Sequence, residues 1–160
     1  RKESSAASDV YKRQVFLAAV AAGCVLLLVR MDGVDETLEK RDMADKLVAE
    51  GYENGYATFW NGNVMTELSG GKIQMWVWSD ATWDQHGTDV DTMYRWLQLT
   101  SHDTERPAGK VFVLFSREEF GNNPWKQNLQ PENVIYESEE YVVMGYPDYE
   151  TMKATLEKDL

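Results

Sequence analysis

The sequence is poor in the residues that usually build reactive sites. It has one cysteine, Cys24, and two histidines, His86 and His102, among its 160 residues. One cysteine cannot form a disulfide within the chain, and neither histidine lies in a carboxylate or thiol cluster at the spacing of metal ligands. A glycine-rich phosphate loop, a CxxC pair and an HExxH helix are also missing. We therefore predict no metal site, no cofactor and no catalytic residue in this sequence.

Positive charge is scarce as well, since the formal net charge is −11. Residues 1–30 hold five basic and two acidic residues, so residues 31–160 hold 11 basic and 25 acidic ones and carry a net charge of −14. Such a surface repels the phosphates of nucleic acids and of anionic lipids. Nucleic acid is therefore not an expected partner.

One long hydrophobic run is present, residues 15–29 (VFLAAVAAGCVLLLV), and Arg30 closes it. The run is slightly shorter than the ~20 residues of a spanning helix, but we predict a transmembrane helix over residues 15–30, with the lipid bilayer as partner. A secretory signal is an alternative, although no small-x-small cleavage site follows the run. A lipoprotein signal is another, because AAGC before and including Cys24 resembles a lipobox, and a buried globular helix is a third.

Residues 1–14 follow no periodic pattern. Within them, residues 4–14 (SSAASDVYKRQ) resemble translated sequencing-adaptor read-through, and the alternative is a disordered lead. We expect this segment to contribute nothing to the fold.

Residues 31–160 predict one small layered α/β domain. Ile73, Met75 and Val77 alternate with more polar or aromatic residues, as in a strand, and residues 110–115 (KVFVLF) have the continuous apolar run of a strand covered on both faces. Alternation of helices with the first three strands predicts a parallel centre, and a closing hairpin makes a mixed sheet of about five strands. The predicted helices cover residues 35–50, 89–100 and 148–158, with a turn capped by Ser116. A short helix is predicted to start at Asn61 or Asn63 and to end before Gly70 and Gly71. The predicted strands cover residues 56–60, 73–78, 110–115, 133–136 and 141–146.

The six tryptophans suggest a binding surface. Strand ends and loops carry Trp60, Trp83 and Trp125, where an exposed ring can stack on the face of a sugar. Asn61 and Asn63 lie beside Trp60 and can pair with hydroxyl groups. We predict Trp60, Asn61, Asn63 and Trp83 as glycan-binding residues. The alternative is that the rings pack on the sheet or lie at a membrane interface, and that Asn61 or Asn63 caps the short helix.

The block at residues 55–73 (GYATFWNGNVMTELSGGKI) follows an apolar run and an acidic helix. It resembles the small C-terminal domain of bacterial polytopic membrane glycosyltransferases of the C-type fold, which are similar to dolichyl-phosphate-mannose–protein mannosyltransferases. The resemblance covers about residues 15–160 and includes the closing strand pair at residues 133–146. It implies a transferase that uses lipid-linked sugars. The family's catalytic carboxylates belong to early extracytoplasmic loops, so none of them is carried over to this sequence.

Two functions are therefore expected. The first is an extracytoplasmic accessory domain of a membrane glycosyltransferase that is not catalytic alone and binds a glycan or lipid-linked sugar. The second is a membrane-tethered binding or structural module of the cell envelope with no enzymatic activity. In either case we expect residues 31–160 to face outward. Charge does not decide this orientation, because only Arg30 flanks the run on its C-terminal side and long acidic domains cross a membrane largely regardless of charge.

Overall fold

The computed structural model of the protein describes residues 3–31, 37–78 and 89–158. The chain divides into two compact units, Arg1–Leu38 and Glu39–Leu160. The first holds one long helix, and the second holds a sheet with its covering helices.

The long helix, α1, runs over Glu3–Met31. Its segment Val10–Arg30 has a mean hydropathy of 1.8 and is long and apolar enough to cross a membrane. None of the most apolar 18-residue window of this segment is buried. The predicted transmembrane residues 15–30 lie inside it, and residues 3–14 continue the same helix toward the N-terminus.

The second unit is an α/β domain built on a mixed five-stranded sheet, as predicted. The strand order is β2-β1-β3-β5-β4, with β1 parallel to both β2 and β3, and β5 antiparallel to β3 and β4. The strands are β1 Asn54–Thr58, β2 Gln74–Trp78, β3 Val111–Ser116, β4 Val134–Glu137 and β5 Tyr141–Tyr146. The helices are α2 Leu38–Ala49, α3 Phe59–Leu68, α4 Arg117–Asn122 and α5 Tyr149–Leu156, with 3-10 turns at Thr100–Asp103 and Pro131–Asn133.

The two faces of the sheet pack against different layers. Met75 and Val77 point to the face that α2 and α3 cover, while Trp76 and Trp78 point to the face that α5 covers. This separation confirms the alternation predicted for β2, because successive side chains of a strand point to opposite faces. All five residues from 111 to 115 in β3 are buried, as predicted for a central strand.

Three local predictions are wrong. Phe59 and Trp60, predicted as the end of the first strand, belong to α3, because β1 ends at Thr58. Residues 89–99 form turns and irregular backbone rather than a helix, because this segment follows the free edge of β2, where the Tyr94 N–H donates to the Val77 carbonyl (2.8 Å). Helix α3 begins at Phe59, so its N-cap is Thr58 and neither Asn61 nor Asn63. The predicted end of α3 is confirmed, since Gly70 and Gly71 follow it with φ of 64° and 79°.

Candidate functional site

The candidate site begins where β1 passes directly into α3. Thr58 is the last strand residue and the N-cap of the helix, with extended backbone. Its hydroxyl makes no cap bond but donates to Oε1 of Glu119 in α4. Because no loop separates the two elements, Phe59 and Trp60 occupy the first turn of α3, and Trp60 is 82% exposed.

Four rings meet at this corner and form what we call the aromatic patch: Phe59, Trp60, Tyr94 and Trp96. Phe59 stacks on Trp96 with ring centres 5.0 Å apart and an interplanar angle of 14°. Trp60 and Tyr94 meet Phe59 edge to face, at 5.1 and 5.6 Å. These are the offset and edge-on geometries that aromatic quadrupoles favour, so the patch is an ordered surface.

A groove lies along the outer edge of β2, beside the patch; we call it the edge groove. Its volume is about 430 Å³. Asn63 lies one helical turn after Trp60, on the same side of α3. The groove is lined by residues of α3, of β2 and of the segment that follows Trp96: Asn63, Thr66, Glu67, Gly71, Gln74, Met75, Leu97, Gln98, Leu99 and His102.

Gln98 bonds the segment after Trp96, which forms one side of the groove, to the edge strand β2. Its Oε1 accepts from the Val77 N–H (3.3 Å) and lies 3.0 Å from Nδ1 of His102. His102 stacks on Trp76 with ring centres 4.1 Å apart. Burial lowers the pKa of His102 against the opposing effect of Glu105 and Asp103, so the ring is neutral at pH 7 and its Nδ1 carries the hydrogen that Gln98 accepts.

A cluster of charged groups around Asp91 fixes the start of the segment that continues to Trp96 and Gln98. Asp91 accepts from Tyr149 (2.5 Å) and Lys153 (2.7 Å) of α5, and Arg106 lies 2.9 Å from it. Burial raises the pKa of Asp91, but the hydrogen bonds from Lys153 and Tyr149 and the charge of Arg106 outweigh it, so that the pKa lies below its usual value. Val90 adds a backbone N–H bond to Glu157 (2.9 Å). The segment is therefore anchored before and after the groove.

The four residues predicted to bind a glycan lie in different surroundings. Trp60 is exposed and Asn63 lines the edge groove. Asn61 is buried, and its Nδ2 donates to Oε2 of Glu119 (3.1 Å), so its amide joins α3 to α4. Trp83 lies outside the described residues. Trp125, which the sequence places in a loop, is only 1% exposed and packs on Trp78.

The amide of Asn63 makes no bond like the one between Asn61 and Glu119 in the described part of the chain. Its Nδ2 is buried and has no hydrogen-bond partner among the residues that the structure describes. An unpaired buried donor costs free energy, so a partner gained in a bound state would favour that state.

Sequence reasoning missed Phe59, Tyr94, Trp96 and Gln98. The helical spacing of Tyr94 and Trp96 with their apolar neighbours predicted a helix over residues 89–100, whereas the structure has irregular backbone there and leaves Trp96 59% exposed. Their meeting with Phe59 depends on a tertiary contact along β2 that no local pattern encodes.

The site combines the aromatic patch with a groove that has polar and apolar lining. Ser116, at the end of β3, accepts from the Glu119 N–H (3.2 Å) in a capping box, as its position predicted. Within the described ranges no group of three or more histidine, cysteine or acidic residues is placed to hold a metal ion. No protein-family model, curated protein or solved structure matches the chain.

Proposed function

We propose that residues 39–158 form a glycan-binding accessory domain of a membrane glycosyltransferase that uses lipid-linked sugars. In this proposal the domain does not catalyse transfer alone but holds a glycan in the edge groove, with one sugar ring on the aromatic patch. The observation that carries it is that Trp60, 82% exposed, lies one helical turn before Asn63, which lines the groove together with Thr66, Gln74 and Gln98.

The chemistry of the groove fits an uncharged polyol. Ligand sites combine apolar surface with a few placed polar groups, and here Met75, Leu97 and Leu99 supply the apolar lining of the groove. Asn63, Thr66, Gln74 and Gln98 offer donors and acceptors. The acidic balance of residues 31–160 disfavours an anionic ligand, so the domain would contact sugar hydroxyls and leave the phosphate of a lipid-linked donor elsewhere.

The link to a transferase, and the outward orientation, rest on the resemblance in residues 55–73 and on the apolar α1. Protease added to intact cells is expected to remove the domain, and complete protection would contradict the orientation. Recovery of the reading frame upstream of residue 15 tests the link. Several further spans with an acidic first outer loop would support it, whereas their absence would favour a cell-envelope binding module with no enzymatic activity.

Glycan binding is tested with the full chain in lipid nanodiscs against a panel of immobilised oligosaccharides. Trp60→Ala and Asn63→Ala are expected to weaken binding, the former by about tenfold, which corresponds to about 1.4 kcal/mol. Glu132→Ala is the control, because Glu132 is exposed beside β4, at the opposite edge of the sheet. Equal binding by all three variants and the parent would refute the site.

A further inference from the structure

The exposed large apolar side chains of the domain are concentrated at one place. In the described part of residues 39–158 they are Trp60, Trp96, Leu97 and Leu99, with exposed fractions of 82%, 59%, 67% and 57%. Single exposed apolar residues are ordinary on a protein surface. Four on two adjoining segments, with Phe59 stacked between the tryptophans, form a patch of the kind that marks a contact surface.

We call residues 96–99 the apolar loop. A surface loop usually exposes polar side chains, whereas this loop exposes apolar ones. Gln98 points inward and bonds to the backbone of β2 and to His102. Leu97 and Leu99, on either side of it, point outward. Leu97 also has φ of 55°, a backbone conformation that residues with a Cβ seldom adopt. The one polar side chain of the loop is thus half-buried and bonded to the edge of β2, whereas its apolar side chains are exposed.

We propose that the apolar loop docks on the lipid bilayer, at the level of the headgroups, through Trp96, Leu97 and Leu99. Tryptophan and leucine are the residues that anchor protein surfaces at this depth, where an indole ring meets both lipid and water. Trp96 suits the position because one ring face rests on Phe59 and the remainder is exposed.

Helix α1 and the short linker after it are the reason to expect a bilayer at the apolar loop. Val10–Arg30 is apolar enough to cross a membrane, and only residues 31–38 separate Arg30 from the second unit. Eight residues reach at most ~29 Å when extended. A domain tethered by a linker of this length meets the bilayer at a high effective concentration, so a weak apolar contact is sufficient.

The net charge of the domain determines which lipids the apolar loop can dock on. Residues 31–160 carry a net charge of −14, so electrostatic attraction to anionic headgroups cannot hold the loop at the surface. Arg95, the basic residue next to the loop, is paired with Asp103 (3.3 Å). Docking therefore depends on apolar insertion, and it should persist on zwitterionic phosphatidylcholine and at high salt. The apolar loop shares Trp96 with the aromatic patch, and Leu97 and Leu99 with the lining of the edge groove, so docking is measured separately from glycan binding.

The test uses the full chain in phosphatidylcholine proteoliposomes, with Cys24→Ala so that one introduced thiol carries an environment-sensitive nitrobenzoxadiazole label. Leu97→Cys and Leu99→Cys report on the loop, and Glu132→Cys is the control. All three positions are exposed, so labelling leaves the core intact. Both loop labels are expected to emit at shorter wavelength than the control and to be quenched about twofold more strongly by lipids with a nitroxide on the upper acyl chain.

Loop labels that match the Glu132 control in emission and in quenching would overturn the proposal. A blue shift without lipid quenching, lost when the proteoliposomes are prepared at low protein density, would also overturn it, because the loop would then contact a second copy of the chain. Loss of glycan binding in these variants has no bearing on docking, so the two proposals can fail separately.

Discussion

At the scale of single residues, the position at which α3 begins decides the different roles of Asn61 and Asn63. The helix begins at Phe59, and residues two apart on a helix point in different directions. Asn61 therefore turns inward to the Glu119 carboxylate, while Asn63 turns to the edge groove one turn after Trp60. Both are asparagines flanking a glycine in FWNGN. Residue type alone therefore did not separate a structural amide from a candidate ligand contact.

Replacing Trp60 by alanine should leave stability nearly unchanged, within about 0.5 kcal/mol, because its side chain is mostly exposed. Trp125→Ala is the matched comparison and should cost about 3–5 kcal/mol, since Trp125 is buried. Asn61→Ala removes a hydrogen bond to a carboxylate and should cost about 1.5–3 kcal/mol. Urea unfolding measures all three. A loss of several kcal/mol in Trp60→Ala would show that Trp60 is part of the scaffold.

Gly55 is required by close packing inside the sheet. A Cβ at this position would lie 2.3 Å from Cζ of Phe112, whose side chain is fully buried. Gly55→Ala should therefore lower the free energy of unfolding by about 1–3 kcal/mol. Gly121→Ala in α4 is the control, because a Cβ there meets nothing within 4 Å and alanine favours a helix by about 1 kcal/mol. Equal stability of the two variants in denaturant unfolding would contradict this packing.

At the scale of elements, strands were predicted well and the long connection between β2 and β3 was not. The strands carry their own signal, in the alternation of β2 and the unbroken apolar run of β3, and the parallel centre followed from their order. Residues 89–99 also carry apolar residues at helical spacing, but backbone bonding to β2 and the Asp91 cluster fix them in an irregular path. Because the aromatic patch includes this segment, half of the candidate site was beyond local sequence patterns.

The Asp91 cluster predicts how the domain responds to acid. The pKa of Asp91 is lower in the folded protein than the ~3.9 of an unfolded aspartate. The unfolded chain therefore takes up the proton first, and stability declines as the pH falls from about 4 through the folded-state pKa. Asp91→Asn should be less stable than the parent at pH 7, with a difference that narrows toward pH 3. Unfolding at a series of pH values measures the difference in stability between Asp91→Asn and the parent. A difference that does not change with pH would show that the ionised Asp91 carboxylate is not its cause.

At the scale of the whole molecule, the chain combines an apolar helix with a separate acidic domain. The second unit holds the entire sheet and both core clusters, and its candidate site lies on the edge strand β2. A site at the edge can accept an extended ligand without disturbing the central strands, whose side chains form the core. The proposed docking of the apolar loop would place that edge near the bilayer surface.

Residues 37–160, expressed without α1, should remain folded and unfold in one cooperative transition, because the described core needs no contribution from the helix. Circular dichroism and tryptophan fluorescence should give coincident thermal transitions. Two separate transitions, or aggregation under every condition tried, would show that the domain depends on the missing helix.

The central claim is that a glycan lies on the aromatic patch, and the indole N–H signals of the tryptophans test it most directly. In the ¹⁵N-labelled domain, titrated with the tightest-binding oligosaccharide of the panel, the signals of Trp60 and Trp96 should shift to saturation together. Those of Trp78 and Trp125, which are buried among the core residues, should stay in place. A saturable glycan interaction that leaves the Trp60 and Trp96 signals unmoved would contradict the account.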